Sequence, residues 1–295
     1  MPVRVVESKQ NARLKELRKA LSAPGRGVHA LAGIEGPNLI EEALRAGLRV
    51  KTIFVAQGAE QLLNALDLTA ETEILQLPRK LLEAALATET PQPIAALVER
   101  PNWSWTHVLN QNQEKTLVLV LAAIQDPGNL GTILRSAEAF GATGVVSLPG
   151  TVSAWNAKAV RASAGSVFRV PLLAASEEEC FARLREAGVK AIATSSKATK
   201  AADLAELASP VALLIGNEGN GVPEAIARRA DGKITIPCPG PVESLNAAVA
   251  ASVLLYEASR QRAFQTIERV VPPPSSKKSN RGAVPDAVEN RGARR

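Results

Sequence analysis

Residues 233–257 combine a strand, a stiff loop and a helix within about two dozen positions. Lys233 to Ile236 is a short run rich in β-branched side chains, and Pro237 ends its strand pairing because proline has no backbone donor. Two further prolines and a glycine hold the following turn stiff. Ser244 is predicted to cap a helix of small residues with high helix propensity. The stretch therefore predicts an α/β core in which a strand, a turn and a helix follow one another directly.

The start of this helix is a candidate binding site. A helix N-terminus presents unpaired N–H groups, so Ser244, Leu245 and Asn246 are placed to hold a polar ligand. An ordinary capped helix fits the same residues, and the stretch alone does not decide between the two.

The composition indicates a globular protein of two domains. The chain has 295 residues, of which 46% are hydrophobic. Cys180 and Cys238 are far apart, and the two histidines lie elsewhere, so neither a zinc site nor a disulfide framework has its ligands. We expect no metal and a reducing compartment. No apolar run approaches the roughly 18 residues of a membrane span, so we expect a cytoplasmic protein without membrane contact.

The net charge of +6 is concentrated at the two ends of the chain. Residues 1–26 carry seven basic side chains against two acidic ones, and residues 272–295 carry six against two, which leaves −3 on the chain between them. Basic ends indicate contact with a polyanion, because phosphate neutralisation is the sequence-independent part of nucleic-acid binding. Residues 266–295 are predicted to form a disordered basic tail. For this tail alone, a solubilising role fits equally well.

Residues 1–100 alternate strands and helices and predict a small α/β domain. Ser8 is the predicted cap of a first helix, which carries leucines on one face and basic side chains such as Lys15 on the rest. Residues 101–115 contain two tryptophans and a run of amides and are predicted to be a linker. We expect the tryptophans to pack against a domain rather than stack on bases.

Residues 116–265 predict a second α/β domain with a parallel sheet. Leu117 to Ile124 is a continuous apolar run, typical of a strand buried on both faces. We predict a helix from about Leu130 to Phe140, a polar loop around Lys158 and a strand from Phe168 to Leu173. The repeated strand–helix alternation predicts helices on both faces of the sheet.

Ligands of open α/β sheets bind at the carboxyl ends of the strands. The loops at those ends are residues 126–131, 194–197, 216–221 and 237–246. The glycine-rich loop 216–221 has neither the Lys-Ser/Thr ending of a Walker A loop nor the GxGxxG spacing of a dinucleotide site. Enzymes that transfer a phosphoryl group or a hydride are therefore disfavoured.

Three separated segments together resemble the motifs of the SpoU (TrmH-like) RNA ribose methyltransferases of the SPOUT superfamily. They are residues 126–137 (DPGNLGTILRSA), residues 213–222 (LLIGNEGNGV) and residues 236–250, with Ser-Leu-Asn at the centre of the last. Residues 156–165 resemble a family stretch between the first two motifs. Residues 1–100 resemble the family's ribosomal-protein-like substrate-binding domain, notably at Ser8, Asn11, Gly36 and residues 91–98.

The resemblance implies a parallel-sheet SPOUT domain with a C-terminal trefoil knot, a homodimer, and S-adenosyl-L-methionine as methyl donor. By position in the motifs, it implies a catalytic set of Asn129, Arg135, Glu218, Ser244 and Asn246. It implies cofactor contacts at Thr194, Gly216, Ile236 and Leu245. RNA contacts are predicted for Asn11, Lys15, Arg135, Lys158 and Arg161.

The reaction implied by the resemblance is methylation of a ribose 2′-hydroxyl in RNA. The sulfonium methyl is already activated, so the protein must align the hydroxyl behind it and help remove one proton. We interpret Arg135 as a phosphate clamp and electrostatic stabiliser, because a guanidinium stays protonated. Asn129 and Arg135 are six positions apart, about 240° around a helix, so they do not share a face. Their joint action requires Asn129 in the preceding loop, or a second protomer.

Two alternatives remain at this point. A non-catalytic RNA-binding protein of the same fold is disfavoured because the whole implied catalytic set is present. An unrelated nucleotide-binding α/β enzyme is disfavoured by the loop mismatches. Ribosomal RNA is expected over transfer RNA because a substrate domain accompanies the catalytic one, which is an argument by family analogy.

Overall fold

The computed structural model describes residues 3–22, 30–86, 88–109, 115–217, 219–242 and 244–270, which fold around two β-sheets. The elements of the first half are β1 (Val3–Val5), α1 (Ala12–Ser22), β2 (Leu31–Glu35), α2 (Pro37–Arg45), β3 (Val50–Ala56), a 3-10 helix (Glu60–Ala65), β4 (Glu73–Leu77), α3 (Arg79–Leu86) and β5 (Ile94–Glu99). Their strands form a mixed sheet in the order β1-β4-β3-β5-β2. In it, β5 runs antiparallel to β2 and β3, and β4 runs parallel to β1 and β3.

The second half forms a six-stranded sheet in the order β11-β9-β10-β6-β7-β8, with every pair parallel. Its elements are α4 (Trp105–Val108), β6 (Leu117–Ala122), α5 (Pro127–Ala139), β7 (Gly144–Ser147), α6 (Ala157–Ser163), a 3-10 helix (Ser166–Phe168), β8 (Leu172–Ala174), α7 (Glu177–Glu186), β9 (Lys190–Thr194), a 3-10 helix (Ala202–Leu204), β10 (Val211–Gly216), α8 (Glu224–Ala227), β11 (Gly232–Ile234) and α9 (Ala247–Val270). The predicted parallel sheet is confirmed.

Strand β6 lies inside this sheet, between β10 and β7, and all six of its residues are fully buried. That burial is what its uninterrupted apolar sequence predicts. The pairing register places Gly216 of β10 beside Ala122 of β6, and Thr194 of β9 beside Ile234 of β11. The carboxyl ends of these four strands therefore meet at one edge of the sheet, which is where the loops singled out in the sequence lie.

Three local predictions in the second half were wrong. Helix α5 begins at Pro127 rather than near Leu130, because the Asp126 side chain caps it and proline suits the first helical position. The polar loop around Lys158 is helix α6, capped by Asn156. The strand predicted from Phe168 to Leu173 begins only at Leu172, and Phe168 is the last residue of a 3-10 helix.

Helix α1 begins with Asn11 as its cap, rather than with Ser8. The Asn11 side-chain oxygen accepts from the backbone N–H groups of Arg13 and Leu14, at 3.0 and 3.2 Å. Leu14 and Leu17 are fully buried, so this basic helix is also part of the core of the first half. Deleting it would therefore remove buried apolar side chains as well as charge.

The described part of the predicted linker packs against the second sheet. Val108 is fully buried, and its carbonyl accepts from the Thr143 hydroxyl at 2.7 Å. The Trp105 indole N–H donates to Glu179 at 2.8 Å, and its ring packs against the apolar cluster of the second sheet. The expectation that this tryptophan packs against a domain is confirmed.

The long helix α9 ends the described chain and packs against α5. Its Arg262 guanidinium donates to the carbonyls of Lys115 and Thr116, ahead of β6, and of Leu207 and Ser209, ahead of β10. Helix α9 extends to Val270, past the start predicted for the tail. The rest of that tail, residues 271–295, lies outside the described residues.

Candidate active site

A cleft of about 760 Å³ opens at the carboxyl edge of the second sheet. Its walls come from the segments that follow β9, β10 and β11 and from the first turns of α9. All four residues predicted to contact the cofactor line it, namely Thr194, Gly216, Ile236 and Leu245, as does Ser244. The size, together with a lining of both polar and apolar groups, suits a small organic ligand.

The loop after β10 forms one wall and closes on itself as a tight hairpin. The backbone N–H groups of Asn217 and Gly221 each donate to the other residue's carbonyl, at 3.1 and 2.8 Å. A Cβ on Gly216 would lie 1.9 Å from the carbonyl carbon of Gly221. Glycine is therefore required at 216 because the loop folds back against its own backbone. A larger residue there would deform the loop whether or not a ligand is bound.

Asn217 also joins this loop to the loop after β6. Its side-chain amide donates to the Ala123 carbonyl at 3.1 Å, and its side-chain oxygen accepts from the Gly219 N–H at 2.8 Å. Ala123 has φ of 58°, a left-handed conformation that is uncommon for a residue with a Cβ. Neither Asn217 nor Ala123 was among the predicted site residues. The available signal was an asparagine inside a glycine-rich loop, where its side chain commonly bonds nearby backbone.

Asp126 orders the start of helix α5. Its carboxylate accepts from the Asn129 backbone N–H at 2.8 Å and from the Lys158 ammonium at 3.0 Å. The Lys158 contact, followed by the backbone hydrogen bond, lowers the pKa of Asp126 below its ordinary value. Lys158 was predicted to contact RNA, and its ammonium here forms an ion pair within the protein. Asp126 was not among the predicted site residues, although an aspartate ahead of Pro-Gly is a recognisable cap.

Asn246 and Asn129 are brought together from opposite ends of the second half. The Asn246 side-chain N–H donates to the Asn129 side-chain oxygen at 3.1 Å. The Asn246 oxygen accepts from the backbone N–H groups of Ala248 and Val249, at 2.9 and 3.3 Å, so Asn246 caps α9 and the prediction of Ser244 as the cap was wrong. Asn129 lies in the first turn of α5, not in the loop before it.

Arg135 lies on the same helix as Asn129, two turns further on, and is exposed. Among the described residues, no hydrogen bond or ion pair involves the Arg135 side chain. Neither Arg135 nor the Asn129–Asn246 pair lines the cleft within the described part of the chain. Glu218, the remaining residue of the implied catalytic set, lies outside the described residues.

The residues predicted to bind RNA lie at three helices, and one of them, Arg135, is on α5. Asn11 and Lys15 lie at the start of α1, beside the first sheet, where Lys15 is exposed and the Asn11 side-chain oxygen is engaged as a cap. Lys158 and Arg161 lie on α6, beside the second sheet, and Arg161 is exposed. The predicted RNA contacts are thus divided between one helix of the first half, α1, and two helices of the second, α5 and α6.

Both cysteines are free thiols, and they differ in surroundings. Burial raises the pKa of Cys180 to about 12, whereas Cys238 is half-buried and lines the cleft. Within the described ranges, no three histidine, cysteine or acidic side chains are grouped to hold a metal ion. No described helix is long and apolar enough to cross a membrane.

Two family models match the chain. One, the SpoU rRNA Methylase family, matches residues 116–256, and the other, RNA 2′-O ribose methyltransferase substrate binding, matches residues 34–104. A protein of Bacillus subtilis, 23S rRNA (guanosine(2553)-2′-O)-methyltransferase RlmP, is 34% identical over 85% of this chain and 97% of its own.

Two solved structures resemble the chain over nearly their full length. An AdoMet-bound rRNA methyltransferase from Sinorhizobium meliloti has a TM-score of 0.74 and 30% identity, covering 88% of this chain and 98% of its own. The SpoU methyltransferase AviRb from Streptomyces viridochromogenes, in complex with AdoMet, has a TM-score of 0.73 and 29% identity, covering 86% and 99%. Together with the motifs and the cleft, these matches show that the chain belongs to the SpoU rRNA methylase family.

Proposed function

We propose that this protein transfers a methyl group from S-adenosylmethionine to a ribose 2′-hydroxyl in RNA, with ribosomal RNA as the substrate. The observation that carries the proposal is the cleft at the carboxyl edge of the parallel sheet, which is lined by the second and third motif segments and by the loop after β9. The family membership supports the reaction, and the 23S rRNA methyltransferase of B. subtilis supports the substrate.

Thr194, Gly216, Ile236 and Leu245 are proposed to hold the cofactor, and no metal takes part. The Thr194 hydroxyl already donates to the Leu214 carbonyl at 2.9 Å, so Thr194 offers its backbone rather than its side chain. Ile236 and Leu245 supply apolar contact, and the hairpin beginning at Gly216 supplies backbone groups. S-adenosylmethionine supplies an activated methyl group, so these residues have only to bind and orient it.

The proposed catalytic set is Asn129, Arg135, Glu218, Ser244 and Asn246. Asn246 holds the Asn129 side chain by its amide, and Asp126 holds the Asn129 backbone, so Asn129 is fixed from two sides. A polar group fixed before reaction stabilises developing charge at no cost of reorganisation. Arg135 faces solvent on another side of α5, which suits a clamp for an RNA phosphate.

RNA contacts are proposed at Asn11 and Lys15 at the start of helix α1, at Lys158 and Arg161 of helix α6, and at Arg135 of helix α5. Exposed cations bind phosphates through counterion release, so each contact should add to the salt dependence of binding. Asn11 contributes only its side-chain N–H, because its oxygen caps α1.

The assembly implied by the family is part of the proposal. We propose two domains, residues 1–100 and 116–265, and a trefoil knot at the end of the second. The knot is supported by the path of the chain, which leaves edge strand β11, contributes to the wall beside β10 and then packs against α5. A homodimer through α9 is supported by Val249, Val253 and Tyr256, which lie on one helix face and are 48%, 39% and 55% exposed. A cytoplasmic location is supported by the two free thiols.

The test is methyl transfer in vitro from isotopically labelled S-adenosylmethionine to unmodified 23S rRNA and to bulk transfer RNA, followed by mapping of 2′-O-methyl positions. Label at one 23S rRNA ribose is the expected result. Label in transfer RNA alone would show that the substrate is transfer RNA rather than ribosomal RNA. Cofactor binding without transfer to any RNA would favour a non-catalytic RNA-binding protein, and absence of cofactor binding would favour an unrelated nucleotide-binding enzyme.

A further inference from the structure

Helix α2, in the first half of the molecule, directly contacts the segment after α6, in the second half. A Cβ on Gly165 would lie 2.8 Å from the Glu42 Cβ, and Gly165 has φ of 91°. Any larger residue at 165 would push α2 away, and its backbone would be strained there as well. Glycine at this position therefore allows the two halves of the molecule to approach closely.

Arg169 bridges the two halves at this contact. One Nη donates to the Glu42 carboxylate at 2.6 Å, while the other Nη donates to Glu138 at 3.2 Å and Nε donates to its second oxygen. Only between a quarter and about a third of each of these three side chains is exposed, so water screens the bridge less than a surface ion pair. The hydrogen bonds from Arg169 lower the pKa of Glu138.

The bridge ends on the helix that carries the proposed catalytic residues. Glu138 lies on α5, three positions after Arg135. Glu42 lies on α2, in the same half of the molecule as helix α1, whose start carries the proposed RNA contacts Asn11 and Lys15. One guanidinium therefore joins the substrate-binding half to α5 itself, rather than to a distant surface.

A second contact holds the chain where it leaves the first sheet. The Arg100 guanidinium carbon lies 5.0 Å from the centre of the Trp155 ring, and an Arg100 Nη donates to the Leu31 carbonyl at 3.2 Å. Trp155 in turn stacks on Phe168 at 6.2 Å. Burial lowers the pKa of Arg100 to about 10. The residue directly after β5 is thus packed between both halves.

We propose that Glu42 and Arg169 are positioning residues for methyl transfer, which fix the substrate-binding half against α5 so that bound RNA is presented to the reaction centre in one orientation. The inference rests on the proposed function. The proposal explains why an ion-pair bridge and a close approach at Gly165 occur together at this contact. Two apolar surfaces can shift relative to each other, whereas a guanidinium bound to two carboxylates holds them in one geometry.

The first arm of the test measures geometry without activity. Glu42→Arg places a cation against Arg169, and Glu42→Gln keeps an acceptor for it. Glu41→Arg is the matched control, because Glu41 is the neighbouring acid of α2 and, within the described chain, pairs only with Arg45 of the same helix. Small-angle X-ray scattering should give a larger radius of gyration for Glu42→Arg than for the parent and the control, with the glutamine variant between them.

The second arm measures single-turnover methylation of 23S rRNA at saturating protein and cofactor. We expect Glu42→Arg to lower the rate constant by about tenfold to a hundredfold, the scale set by an ångström of misplacement. RNA affinity and cofactor affinity should stay within about twofold of the parent, because the variant removes no proposed ligand contact. A merely structural role would lower both affinities together with the rate.

Equal scattering and equal rates for Glu42→Arg and Glu41→Arg would overturn the inference. A parent protein that methylates no RNA would instead contradict the proposed function, and the scattering comparison would still decide whether the bridge fixes the two halves. If Glu42→Arg does not fold, the glutamine variant carries the same comparison with a smaller expected effect.

Discussion

Asn246 has two separable roles, and this allows a sharp test of the proposed site. Its side-chain oxygen caps α9 through Ala248 and Val249, and its side-chain N–H holds Asn129 at 3.1 Å. Asn246→Ser keeps a capping oxygen but is too short to reach Asn129. Asn246→Ala loses both contacts.

The expected magnitudes follow from those contacts. Losing the cap costs about 1 kcal/mol, and losing one hydrogen bond between side chains costs about 1 kcal/mol. Asn246→Ala should therefore lower the free energy of unfolding by about 2 kcal/mol, and Asn246→Ser by about 1 kcal/mol. If the pair with Asn129 serves catalysis, both variants should lose about a hundredfold or more in rate, the usual scale for one preorganised polar group.

Urea unfolding gives the stabilities, calorimetry gives the cofactor affinity, and single-turnover methylation of 23S rRNA at saturating cofactor gives the rate of the chemical step. Asn64→Ser, at an exposed asparagine of the first half, is the matched control and should match the parent in all three. A serine variant within threefold of the parent rate would refute the catalytic role of the pair. A rate that fell only in the alanine variant would show that the cap, not Asn129, is what matters.

Three further outcomes are expected. Arg135→Ala should leave cofactor affinity intact and slow single-turnover methylation by about a hundredfold or more, with little rescue by lysine; a rate within threefold would return Arg135 to an ordinary surface role. Iodoacetamide followed by mass spectrometry should modify Cys238 in the folded protein and spare buried Cys180, and S-adenosylmethionine should slow the Cys238 reaction; an unchanged rate would argue against the cleft as its site. Arg169 lowers the pKa of Glu138 below its ordinary value of 4.5, so the stability contributed by this pair is fully present above pH 4.5 and is lost as the pH falls through the pKa of the folded state. The difference in urea stability between the parent and Glu138→Gln should therefore shrink below about pH 4.5.

The sequence determined most of the local elements and the edge of the sheet at which the cleft lies. The apolar run of β6 predicted a strand buried on both faces, and the alternation of strands and helices predicted the parallel sheet around it. Because ligands bind at the carboxyl ends of such strands, the loops that line the cleft were identified without coordinates. Helix starts were less predictable. Ser8 and Ser244 are both residues of the cap type, but the observed caps are Asn11 for α1 and Asn246 for α9, each a few positions later.

Only the tertiary structure decided which side chains meet. Asn246 contacts Asn129 across 117 positions of the sequence, and Arg169 contacts Glu42 across 127. Periodicity reports which face of an element is apolar, but it carries no information about the distance between two elements once they pack. The sequence does not show why residues 216 and 165 are glycines, for the same reason. A Cβ at 216 would strike the folded-back loop at Gly221, and a Cβ at 165 would strike Glu42 in the other half of the molecule.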